Sequence, residues 1–82
     1  MVTRIAQIPL AELLTGEQAT IQSFQNMRGI AGRLTSLGFT PSAPVVMAQN
    51  YGRGPLLVTV RGARVALGRS EALGIIVQRV ST

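Results

Sequence analysis

The chain has 82 residues and a formal net charge of +5, from eight arginines and three glutamates. Cysteine, histidine, aspartate and lysine are all absent, which removes disulfides, thiolate and imidazole metal sites, Ser-His-Asp and Cys-His catalysis, and Schiff-base chemistry. A chain this short reads as one domain, residues 1–82, and its 46% hydrophobic content must stabilise it by aliphatic packing.

Ile8-Pro9-Leu10-Ala11-Glu12-Leu13-Leu14 reads as a short helical stretch, with Pro9 tolerated at the first helical position and Gly16 as terminator. Gln18 to Phe24 alternates, Ala19 and Ile21 against Thr20 and Gln22, as a strand does. A helix over roughly Asn26 to Leu37 follows, with Ile30, Leu34 and Leu37 on one face. Gly29 and Gly32 would each cost about 1 kcal/mol inside it, so its firm part is expected from Ile30. Its end carries the most explicit local signal in the chain. Gly38 can take the left-handed conformation at C′, which makes Phe39 C″ and Leu34 C3, the contact pair of a Schellman ending. Pro41 then prevents the helix from resuming.

Pro44 to Asn50 reads as a strand with proline at its first position, Tyr51 to Pro55 as a glycine-rich loop, and Leu56 to Arg61 as the next strand. A two-residue type II′ turn at Gly62-Ala63 would set Arg61 opposite Arg64, Val60 opposite Val65 and Val58 opposite Leu67. The valines and Leu67 would then share one sheet face, with Thr59, Arg61 and Arg64 on the other. Ser70 to Gly74 looks like a Ser-capped helical turn, and Ile75 to Val80 is the closing strand. The expected fold is mainly β: a small five-stranded barrel with two short helices inserted near the N-terminal half and a helical turn before the last strand.

That order of elements resembles the FeoA family, ferrous iron transport protein A. The resemblance rests on Leu13 with Gly16, Ile21, Arg33-Leu34-x-x-Leu37-Gly38-Phe39-x-Pro41, and Val45 with Met47. It continues through Gly54-Pro55, Val58-x-Val60-x-Gly62, Ala66-Leu67, and Ala72 leading to Ile75-Ile76-Val77. One departure is visible: the family usually places glycine after the proline, whereas Ser42 follows Pro41 here. Glycine would serve a type II turn, while serine favours type I. The resemblance implies an SH3-like barrel. It also implies an accessory, regulatory role in bacterial ferrous iron uptake, by protein contact with the cytoplasmic G-protein domain of a membrane iron permease.

No stretch approaches the roughly 20 apolar residues of a membrane-spanning helix, and Met1-Val2-Thr3-Arg4 lacks the features of a signal peptide. A cytoplasmic protein is the expectation. Glu12 and Glu17 lie close in sequence, but such a pair in a basic chain reads as a solvated edge, so no enzyme is expected. Family descriptions attach transition metals to this domain. Glu12, Glu17 and Glu71 are the weak candidates for a divalent transition metal, and alone they could not build a selective ferrous site.

Tyr51-Gly52-Arg53-Gly54 lacks the context of a phosphate-binding loop and reads as a hairpin tip, with Tyr51 and Arg53 as candidate contact residues. Arg61 and Arg64, if opposed, would destabilise the hairpin slightly unless solvent or an anionic partner screened them. A small basic nucleic-acid-binding barrel is one alternative reading, and a weak transition-metal-binding domain is another. The shortage of aromatics for base stacking argues against the first. Self-association into a homo-oligomer is left open.

Overall fold

The structure, a computed structural model, describes residues 4–25, 29 and 31–81. The strands are β1 (Arg4–Pro9), β2 (Gln18–Phe24), β3 (Pro44–Gln49), β4 (Leu56–Val60), β5 (Ala63–Leu67) and β6 (Ile75–Ser81). A 3-10 turn at Leu10–Glu12 and the helices α1 (Ala31–Ser36) and α2 (Arg69–Leu73) sit between them. All strand pairings are antiparallel, in the order β1-β6-β2-β3-β4-β5.

The mainly β reading holds, with one strand more than the sequence suggested. β1 occupies part of the stretch read as helix, pairing with β6 from Arg4↔Ser81 to Pro9↔Ile76. Pro9 closes β1 where the sheet edge needs no donor from it, and only Leu10–Glu12 turns helically. Leu10 and Leu13 eclipse across that turn, and both are fully buried.

The helix ending is formed as its residues dictate. Phe39 N donates to Leu34 O at 3.0 Å and Gly38 N to Thr35 O at 3.0 Å, the two bonds of a Schellman motif, and Leu34 and Phe39 are fully buried. α1 itself begins at Ala31; Asn26 to Arg28 and Ile30, expected in its first part, lie outside the described residues.

Three expectations about turns are corrected. The β4–β5 register pairs Val60 with Ala63, Thr59 with Arg64 and Val58 with Val65, so Arg61 does not face Arg64. The central turn residues are Arg61 (φ 49°) and Gly62 (φ 78°), a type I′ turn rather than II′. Ser42 has φ 70° and Ala43 N donates to Thr40 O at 2.9 Å, so serine holds the position that a type II turn normally gives to glycine. α2 starts at Arg69 and is capped at Gly68 rather than at Ser70, because the Glu71 carboxylate accepts the Gly68 N–H at 2.9 Å.

Bulges in β2, between Ile21 and Ser23, and in β3, between Met47 and Gln49, bend the sheet around one aliphatic core. Ile21, Val45, Met47, Leu56, Val58, Val60, Leu67, Ile75 and Val77 enter it from the strands, with no charged or polar side chain fully buried among the described residues.

Candidate functional site

The loop between β3 and β4 stands on Asn50. Its side-chain Nδ2 donates to Ala11 O at 3.0 Å and Leu13 O at 2.8 Å. Its Oδ1 accepts from Gly52 N at 3.0 Å and from Arg69 Nη2 at 2.8 Å. Both donors and both acceptor positions of the carboxamide are therefore used. Asn50 N also donates to Thr15 Oγ1 at 2.9 Å, and that hydroxyl donates to Asn50 O at 3.2 Å. One side chain thus ties the 3-10 turn, the following loop, α2 and the β3–β4 loop together. Sequence reasoning missed it, although asparagine two residues before a glycine at a strand end is an Asx-turn signal.

Tyr51, 76% exposed, projects from the residue after this anchor, and Arg53 is exposed farther along the loop. Leu14, 65% exposed, flanks Thr15 on the other side of the Thr15–Asn50 bonds. Base, aromatic and aliphatic groups on a tethered loop suit protein contact: tyrosine and arginine contribute strongly to interface energy, and a pre-ordered base loses little entropy on docking.

Arg61 and Arg64 are not brought to this loop. Arg61 Nη2 donates to Thr40 Oγ1 at 3.0 Å, whereas Arg64 lies exposed on β5 beside Thr59.

The glutamates are dispersed. Glu12 is exposed on the 3-10 turn. Glu17 Oε1 accepts from Leu14 N at 2.7 Å, and Arg79 Nη1 approaches its two oxygens at 3.1 and 3.3 Å. Glu71 takes the Gly68 N–H and the Arg33 guanidinium. The backbone bond from Gly68 holds its carboxyl below the usual carboxylate value, burial opposes that, and Arg33 adds to the lowering. Among the described residues no group of three or more His, Cys, Asp or Glu could hold a metal ion. With Glu17 and Glu71 each committed to an arginine, the donor set does not fit a resident transition metal.

A shallow groove of about 240 Å³ lies outside β2, β3 and β6, lined by Gln18, Ala19, Thr20, Pro44 and Gln78. Nothing that lines it titrates or acts as a strong nucleophile.

The FeoA domain model matches residues 8–79. The chain is 29% identical over 70 residues to a provisionally named Fe(2+) transport protein A of Methanocaldococcus jannaschii, covering 85% of this chain and 84% of that one. The zinc-complexed crystal structure of Stenotrophomonas maltophilia FeoA, described as an SH3 domain protein, is 37% identical, with a TM-score of 0.76 over 85% of this chain and 93% of that chain. A crystal structure of the iron uptake regulatory protein FeoA gives a TM-score of 0.81 at 28% identity, covering 93% of this chain and 99% of that one. The helix stop at Gly38, the bent antiparallel sheet and the match along most of its length agree: this chain belongs to the FeoA domain family.

Proposed function

We propose that this protein is an accessory factor of ferrous iron uptake that acts in the cytoplasm by contact with the G-protein domain of a membrane iron permease, and not as an enzyme. The observation that carries the reading is the family match over residues 8–79, together with relatives named for Fe(2+) transport and iron uptake regulation. Two features support action by contact. Two of the three candidate metal ligands, Glu17 and Glu71, are held in ion pairs, and the side chains left outward on a tethered loop, Tyr51 and Arg53, are those that interfaces use. No helix among the described residues is long and apolar enough to cross a membrane, so the membrane-bound part of transport would belong to the partner.

Titration of the purified permease G-protein domain tests this. The parent chain is expected to bind, and Tyr51→Ala and Arg53→Glu each to weaken binding by about tenfold, as loss of interface anchors does. Absence of binding by the parent chain overturns the reading. Binding that survives in both variants removes this loop as the docking face.

A further inference from the structure

The sheet ends on β5, and that end is open. Val60 and Ala63 flank a two-residue turn, so they form a hydrogen-bonded pair, and the pairs alternate from there. Val65 and Leu67 therefore bond inward to β4, whereas the N–H and C=O of Arg64 and Ala66 point away from it. Neither residue has another hydrogen-bond partner among the described residues. Strand edges of this kind are usually blunted by proline, a bulge or a cover. β5 has no proline, its register with β4 runs without a shift, and Ala63, Arg64 and Ala66 are exposed.

We infer that the β5 edge is a docking site for an acidic extended segment of a partner protein, which adds to the sheet as a seventh strand beside Arg64, Val65 and Ala66. Backbone pairing to Arg64 and Ala66 would supply the attachment, and two side-chain positions would supply selectivity. A carboxylate opposite Arg64 meets a guanidinium that has no salt-bridge partner among the described residues, where Glu17 pairs with Arg79 and Glu71 with Arg33. An apolar residue opposite Val65 covers a half-buried side chain that already packs on the core. The small Ala63 and Ala66 leave the approach unobstructed. A second copy of this chain is the wrong occupant. A two-fold pairing about Val65 sets the two Arg64 side chains as diagonal neighbours, roughly 7–8 Å apart, with no carboxylate in the strand to offset them.

The site is separate from the Tyr51 loop and does not depend on which protein supplies the segment. The test is titration of an acetylated, amidated peptide of alternating glutamate and valine into isotope-labelled protein, followed by amide resonances. Shifts confined to β5 and its neighbour β4 are expected. Arg64→Glu should weaken binding by about tenfold or more and confer binding of the alternating lysine–valine peptide, while Arg53→Glu should change affinity by less than about twofold. A peptide N-methylated at the amides that face β5 should fail to bind. Shifts outside β4 and β5, equal losses in R53E and R64E, or undiminished binding of the N-methylated peptide would overturn the inference. So would concentration-dependent self-association of the free protein through β5.

Discussion

Arg61 lies across Gly38. A Cβ on Gly38 would stand 2.8 Å from Arg61 Cδ and 3.1 Å from Cγ, and the guanidinium beyond reaches Thr40 Oγ1 at 3.0 Å. The helix stop and the β4–β5 turn, far apart in sequence, are therefore in contact. Each holds an unusual backbone: Gly38 at φ 107° and Arg61 at φ 49°.

Gly38→Ala is expected to destabilise the protein by about 2 kcal/mol, chiefly through the positive φ, because the flexible arginine stem can move aside at the expense of its Thr40 bond. Chemical denaturation of G38A, R61A and the double variant measures the steric part. The double variant should be less destabilised than the sum of the singles, by about 0.5–1 kcal/mol. Strict additivity would mean that the contact has no energetic weight.

Ser42→Gly relieves a left-handed serine at the third position of the Thr40–Ala43 turn. The relief of about 1 kcal/mol exceeds the cost of about 0.5 kcal/mol from the entropy that glycine adds to the unfolded chain, so a net gain of about 0.5 kcal/mol is expected. Ser42→Val should lose more than about 1 kcal/mol, since β-branched residues resist positive φ. Thermal unfolding of the two variants should bracket the parent.

Asn50→Ala deletes four side-chain hydrogen bonds and strands the partly buried carbonyls of Ala11 and Leu13. A loss of about 2–4 kcal/mol follows from the penalty for unmet polar groups. Asn50→Asp keeps the acceptor for Arg69 but turns an oxygen towards the two carbonyls, so it should also destabilise. Denaturant midpoints, with amide exchange at Gly52 as a local probe, check both.

Glu71 gives a pH dependence with a definite sign. Its carboxyl is lowered in the folded state from the ordinary 4.5, first by the Gly68 N–H bond. The stability it contributes is therefore fully present above the unfolded value and is lost as pH falls through the folded one. Glu71→Gln should flatten the acid limb of stability against pH below about 4.5. An unchanged slope in E71Q would show that the carboxylate gains nothing from folding.

The outcome at the β4–β5 hairpin shows how far local pattern reaches. Val58, Val60, Val65 and Leu67 share the inner face as alternation requires, even though every cross-strand partner differs from expectation. Moving the turn from Gly62-Ala63 to Arg61-Gly62 shifts partners by two residues, and a shift of two preserves the face. Periodicity therefore reveals which side is buried without revealing the register. Turn choice was not legible because a left-handed arginine is locally unfavourable, and what offsets it, Gly38 and Thr40, lies on another element. The candidate site divides in the same way. Tyr51 and Arg53 stand out by residue type, whereas Asn50 and Arg69 acquire their roles only when the 3-10 turn and α2 converge on them.

The sequence by itself determined the interactions that close over a few residues: the Schellman ending at Gly38, the alternation of β2 to β5, and the segments that mark the family. Those depend on φ preference and side-chain period, which each short stretch carries within it. Tertiary structure alone decided that the chain ends pair as β1 and β6, that Asn50 is a hub, which arginines the two inner glutamates neutralise, and that β5 is left as an edge. Each of those requires partners distant in sequence. Their energies exist only once the aliphatic core has brought the elements together and excluded water from between them.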